Sequence, residues 1–140
     1  MDIPPSFRDL LEPSPRFGAL ATIGPDGFPQ VTAVGFAYEG DTIRLSMSSA
    51  RQKTKNLQAR PQCTLFVLDE DNPFRSLEIR ATARIEPDPD YVFAERMAAL
   101  YGVREDLRGL DERQEAVRCI VTLDPVKVNP FRMRPERTSA

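Results

Sequence analysis

The sequence predicts a mainly β domain with peripheral helices, built from about six antiparallel strands in a small barrel. Three observations carry this. Apolar runs of strand length recur at hairpin spacing between Gly, Pro and Asp turn signals. Only residues 91–101 keep a helical period over a substantial length. The 140-residue length points to one domain, large enough to bury its own core without metal or disulfide support.

Residues 4–15 hold a short amphipathic helix, with Phe7, Leu10 and Leu11 at helical spacing and Pro13 and Pro15 closing it, expected as a lid on the barrel end. Residues 17–23 read as a buried strand, and Gly24-Pro25-Asp26-Gly27 as the hairpin turn after it. Residues 30–38 form the second strand. Val31, Ala33, Gly35 and Ala37 lie on one face, and Thr32, Val34, Phe36 and Tyr38 on the other. Gly35 inside that strand marks a bulge or the close approach of another group. Residues 42–47 are the third strand, and residues 62–68, apolar almost throughout, read as a strand buried on both sides.

Asp69-Glu70-Asp71-Asn72-Pro73 is expected to be a solvated loop. Residues 74–86 alternate, with Leu77, Ile79, Ala81, Ala83 and Ile85 facing one way. Pro87-Asp88-Pro89-Asp90 opens the helix at 91–101, whose inner stripe is Phe93, Met97 and Leu100. Residues 106–115 are charged and loosely helical. Residues 117–123 are the last core strand, ended by Asp124-Pro125, with 126–130 as a separate short edge strand. The expected organisation is one domain over 1–140, its N-terminal helix within 1–15 and a flexible tail over 131–140 containing Arg132, Arg134 and Arg137.

The formal net charge of −2 argues against a general nucleic-acid binder. Cys63 and Cys119, each in an apolar run, read as buried core thiols rather than a redox pair. The start Met1-Asp2-Ile3-Pro4-Pro5 has neither the basic nor the apolar region of a signal peptide, and no apolar run approaches membrane-spanning length. A soluble, cytoplasmic protein without membrane partners is expected. The chain contains no His, so Ser-His-Asp and Cys-His nucleophiles and imidazole metal ligands are excluded and no metal site is expected. An enzyme of this composition would rely on carboxylates or on a bound cofactor.

The stretch 46–57 is the informative one. Ser49-Ala50-Arg51-Gln52 reads as a capping box at the start of a short helix that Arg60-Pro61 ends. Helix starts favour acids, because unpaired N–H groups leave positive charge there. This one carries Arg51, Lys53 and Lys55, and no acid occurs from 42 through 68. Cations on the positive end of a dipole repel it, and a bound anion reverses that sign. The corner therefore reads as a phosphate cradle. A nucleic-acid module built on the same helix would want exposed aromatics for stacking, and none lies between Tyr38 and Phe66.

The ordered set is a hairpin, a strand, Arg51-Gln52-Lys53-Thr54-Lys55-Asn56-Leu57, Arg60-Pro61, an apolar strand, an acid-Asn-Pro loop and Leu77-Glu78-Ile79-Arg80-Ala81-Thr82-Ala83. It resembles the split β-barrel flavin and deazaflavin oxidoreductases, the superfamily that includes pyridoxamine 5′-phosphate oxidase. The resemblance spans roughly residues 6–130, and the wording of the basic motif is most similar to the smaller branch that uses coenzyme F420. It implies a six-stranded antiparallel split barrel that moves a hydride between a deazaflavin and a small organic acceptor. FMN is the alternative cofactor, and a non-catalytic flavin or deazaflavin carrier the alternative role.

By the same resemblance Arg51 and Lys53 grip the cofactor phosphate, with Gln52 beside them and Asn56 supporting the corner. Val31, Thr32, Ala33 and Val34, then Ser46, Met47 and Ser48, line the ring. Arg16, Lys55 or Arg75 would receive a deazaflavin's oligoglutamyl tail. The assembly is expected to be a homodimer with its cofactor sites at the interface. No residue is singled out as catalytic, although Tyr38 and Tyr101 are available proton donors. The family usually has Gly where this chain has Ala81, and the Trp- and His-containing substrate signature of true pyridoxamine-phosphate oxidases is absent. Vitamin B6 chemistry is therefore not expected, and the lack of His counts against a haem role.

Overall fold

The computed structural model describes residues 2–133. Six antiparallel strands, β1 (Arg16–Ile23), β2 (Pro29–Glu39), β3 (Thr42–Ser48), β4 (Gln62–Asp69), β5 (Asn72–Pro87) and β6 (Arg118–Arg132), close a barrel in the order β1-β2-β3-β6-β5-β4. This is the mainly β split-barrel architecture the sequence predicts. Three helices accompany it: α1 (Gln52–Ala59), α2 (Val92–Tyr101) and α3 (Leu107–Arg113). Alternation aims Leu20, Phe36, Ile43, Leu45, Leu65, Leu77, Ile79, Val121 and Leu123 into one fully buried interior. Among the described residues no helix is long and apolar enough to cross a membrane.

The seam between β2 and β3 is the shortest in the barrel. Those strands pair over three residue pairs only, from Ala37↔Arg44 to Glu39↔Thr42. Beyond them β2 pairs with β1 from Pro29 to Phe36, and β3 pairs with β6 through Ser48. The two strands thus part, and their facing edges are left open to a cleft.

Several local expectations are corrected. The N-terminal helix is a six-residue 3₁₀ segment, Pro5–Leu10, with proline in its first turn. It does act as a lid, burying Ile3, Phe7, Leu10 and Leu11 on the core. β6 is one strand rather than two. Pro125 falls where the β5–β6 register shifts, and β3 covers β6 only to Leu123, so Pro125 and Pro130 occupy a half-paired stretch that tolerates a missing N–H. Phe131 and Arg132 complete that strand, and Met133 N–H donates to Phe74 O at 2.8 Å. Arg134 and Arg137 lie outside the described residues. β4 is not buried on both sides, since Phe66 and Leu68 are 40% and 45% exposed on the outer face, and Phe17 near the start of β1 is 59% exposed. Leu100 is exposed too, and Ala94 takes the inner position beside Phe93 and Met97.

Asp69 is not simply solvated. It and Asp9 grip the buried Arg75 guanidinium, Nη1 to Asp69 Oδ2 at 2.9 Å and Nη2 to Asp9 Oδ1 at 2.5 Å, over the Phe7 ring. Arg75 is therefore committed to holding the lid and is not available for a ligand's carboxylates. The Arg75 hydrogen bond holds Asp9 below the usual carboxylate range, and the Asp71 N–H followed by Arg75 does the same for Asp69. Carboxylates with depressed folded-state pKa stabilise the fold above their unfolded value near pH ~4, and that contribution is lost as pH falls through the folded value. Thermal midpoints should accordingly drop on acidification from about pH 5 toward 3, with a shallower acid limb in Arg75→Met. An unchanged acid limb in that variant would show that the trio does not report lid closure.

Candidate functional site

α1 plugs the open end of the barrel beside the cleft. Asn56, fully buried, donates through Nδ2 to Thr22 Oγ1 at 3.0 Å and Gln30 Oε1 at 3.2 Å, and accepts from Gln52 Nε2 at 2.8 Å. Its amide has both ends satisfied, so it braces the corner rather than offering itself to a ligand. Arg60 Nε adds a bond to Ile23 O at 2.8 Å, and Thr54 Oγ1 one to Ser48 O at 2.7 Å.

The expected capping box does not form. Ser49 Oγ accepts instead from Val117 N–H at 2.7 Å, Gln52 turns to Asn56, and Arg51 takes the N-cap position with no side chain capping the helix. The tight turn at Ser48, whose Oγ accepts from Ala50 N–H at 3.1 Å, pulls Ser49 toward β6 before the helix starts. The first turn of α1 is left without an acid or a cap.

Arg51 and Lys53 flank this start. Neither has a carboxylate within 4 Å among the described residues. Lys53 is half-buried, and burial followed by the neighbouring Arg51 charge pulls its ammonium below the usual lysine range. Its Nζ reaches only Thr32 Oγ1, at 3.4 Å across the cleft. Two cations held side by side with no counter-charge make a site that favours an anion.

Two hollows meet at this pair. One of about 320 Å³ runs along Gln30, Thr32 and Ala33 of β2 to Arg51, Gln52 and Lys53. The other, about 410 Å³, continues past Ser46, Met47 and Ser48 to Glu105, Leu107, Leu110, Gln114 and Arg118. The structure thus brings together Thr32, Ala33, Ser46, Met47, Ser48, Arg51, Gln52 and Lys53. Val34 is buried in the barrel interior and Val31 stands on the outer face, 62% exposed, so neither side chain reaches the cleft. Met47 is also a core side chain that only borders the hollow. Lys55 is exposed on α1, whereas Arg16 begins β1 at the end remote from α1.

Neither tyrosine is placed to deliver a proton. Tyr38 is buried and donates to Asp41 Oδ1 at 2.8 Å, and burial raises its pKa further. Tyr101 lies over Gly35, as the close approach anticipated at that glycine, and its hydroxyl is spent on the backbone. It accepts from Arg16 N–H at 3.0 Å and Phe36 N–H at 2.9 Å and donates to Arg16 O or Phe36 O.

Sequence reasoning missed the pair at the far wall. Arg118 Nε and Nη2 donate to Asp111 Oδ2 and Oδ1 at 3.0 and 2.9 Å, both residues being more than 90% buried, and Tyr91 O–H donates to Asp111 at 2.7 Å. The available signal was a lone cation at the head of the apolar run 117–123.

The pyridoxamine 5′-phosphate oxidase family model matches residues 3–130. A solved F420 reductase is 35% identical, covering 91% of this chain and 98% of its own, with a TM-score of 0.78. A putative pyridoxamine 5′-phosphate oxidase from Listeria innocua is 20% identical over 89% and 94% of the two chains at TM-score 0.67. The haem storage protein HutZ from Vibrio cholerae is 22% identical over 94% of each at 0.63. The last two likenesses show the fold alone. The first, with the anion corner and cleft, supports function of the flavin or deazaflavin oxidoreductase type. By its matched residues and its split barrel, the chain belongs to the pyridoxamine 5′-phosphate oxidase family.

Proposed function

We propose that this protein is a coenzyme F420-dependent reductase that moves a hydride between a deazaflavin in the β2–β3 cleft and a small organic acceptor. The observation that carries the reading is the unpaired Arg51–Lys53 corner opening onto two unpaired strand edges. The residues fit a phosphate-bearing flavin-type group. The two cations meet the phosphate, with Gln52 beside them, and the edges at 31–34 and 46–48 offer backbone donors and acceptors to a planar ring. FMN satisfies the same corner, so the two cofactors compete as readings. The F420 reductase likeness favours the deazaflavin.

Bound there, the deazaflavin supplies the two-electron chemistry. The chain's part is to neutralise the phosphate, to orient the ring against the edges of β2 and β3, and to exclude water with α2 and α3. With Tyr38 and Tyr101 committed elsewhere, solvent is left as the proton source. The apolar outer face of β1, β2 and β4, with Phe17, Val31, Phe66 and Leu68, is the surface a second copy would cover, which supports a homodimer as the working unit.

Titration with the deazaflavin and separately with FMN tests this, repeated on Lys53→Ala. Loss of one charge-assisted phosphate contact should weaken deazaflavin binding roughly tenfold to a hundredfold. Sedimentation of the same samples should give twice the 15.8 kDa chain mass. Preference for FMN would move the protein to the flavin side. Binding that never reduces an acceptor would leave a carrier, and failure to bind either cofactor would end the oxidoreductase reading.

A further inference from the structure

A third hollow, about 230 Å³, lies beneath α2 on the outer side of the parted strands. Its walls are Phe17, Gly35, Met97, Ala98, Val103 and Leu107. It holds two polar groups with hydrogen-bonding capacity to spare, and both also border the Arg51–Lys53 hollow. The first is the Ser46 hydroxyl, which is buried and has no hydrogen-bond partner among the described residues. The second is the Arg118 guanidinium, 8% exposed. Asp111 fixes its Nε and Nη2, leaving Nη1 as the uncommitted nitrogen. Ser46 pairs with Ile120 and Ser48 with Arg118, so Ser46 and Arg118 are diagonal neighbours on one face of the β3–β6 ladder.

A buried hydroxyl without a partner is unfavourable, and a ligand atom that accepts from it relieves that cost. Both groups line both hollows, so each borders the place where a ligand spanning the two would lie. The charge balance selects the ligand's type. Asp111 already neutralises Arg118, so a carboxylate here would add an uncompensated negative charge among apolar walls, whereas a carbonyl adds none.

We propose that this chamber is the acceptor subsite, and that it takes a compact, uncharged carbonyl compound whose oxygen accepts from Ser46 Oγ–H and Arg118 Nη1–H. The proposal rests on reading the adjoining cleft as the cofactor site. The apolar walls receive the body of the molecule, and the two donors set which end faces the cleft. Ser46 is then a specificity-determining residue, its backbone on the cofactor side and its hydroxyl on the acceptor side.

The test uses the full chain, with and without the deazaflavin, and three probes on one skeleton: 1-indanone, indane and indane-2-carboxylate, followed by calorimetry and ligand-observed NMR. 1-Indanone should bind best. Ser46→Ala should weaken 1-indanone about threefold to tenfold and leave indane unchanged. Ala98→Phe, which fills the chamber, should abolish binding of all three while the deazaflavin titration is retained. Equal affinity for indanone and indane, an Ser46→Ala effect shared by both, or preference for the carboxylate would each overturn the proposal, as would absence of any probe binding. A chamber that keeps 1-indanone in a protein that binds no deazaflavin would remove the cofactor reading and leave the subsite standing.

Discussion

Asp111→Ala should destabilise the protein by about 3–5 kcal/mol, the range for breaking a buried ion pair from one side. Asp111 is 1% exposed, and its two oxygens receive Arg118 Nε, Arg118 Nη2 and the Tyr91 hydroxyl. Removing the carboxylate leaves the guanidinium buried without its counter-charge and the phenol without its acceptor. A single domain typically has ~5–15 kcal/mol in all, so the loss is a large share of the fold's stability. Urea denaturation would measure it. The companion Asp111→Ala/Arg118→Met removes both charges and should recover most of the loss. A single-variant cost below about 1 kcal/mol would mean that water reaches the pair and that α3 is not anchored by it.

Gly35→Val is expected to cost roughly 2–3 kcal/mol, through overpacking rather than lost contacts. A Cβ at position 35 would lie 2.6 Å from Tyr101 Cε1 and 2.9 Å from Cδ1 and Cζ. A flexible side chain would swing aside, but this ring is pinned at both ends. Its hydroxyl bridges β1 and β2 at Arg16 and Phe36, and the ring packs edge-on against Phe17 at 5.1 Å. Relief requires α2 to lift, which also opens the chamber that Gly35 and Tyr101 line. In a Tyr101→Ala background the same substitution should cost much less, and a double-mutant cycle reads that difference directly. Equal costs in both backgrounds would show that the ring is not the obstacle.

The features that were legible in the sequence are those encoded locally. Period-two alternation put Val34, Phe36 and Tyr38 on one face, which the structure turns inward, and laid out the long β5 stripe, because the pleat itself sets that pattern. The reversed charge order marked the corner where Arg51 and Lys53 stand without a carboxylate partner among the described residues, and a lone glycine within β2 marked the Tyr101 contact. What remained hidden depends on partners distant in sequence. Ser49 fits a cap motif, yet the amide of Val117 claims its hydroxyl. Asp69 looks like loop polarity until Arg75 folds back on it, and Arg75 looks like a free cation until the 3₁₀ lid brings Asp9. Pro125 looks like a strand end, because a register shift that accommodates it has no local signature. β4 reads as doubly buried because composition records how apolar a strand is, not which of its faces the chain itself covers.

The parting of β2 and β3 has a consequence for how such a barrel changes over time. Each strand is held from behind, β2 by β1 and β3 by β6, so side chains that border the gap carry few of the contacts that keep the sheet together. On the proposed reading, a substitution at Ala33, Ser46 or Leu107 would alter what the gap accepts while leaving the ladders intact. On that reading, stability and choice of ligand rest on different residues along the gap, with Gly35 and Arg118 as the positions that serve both. A barrel zipped along all six seams would lack that freedom.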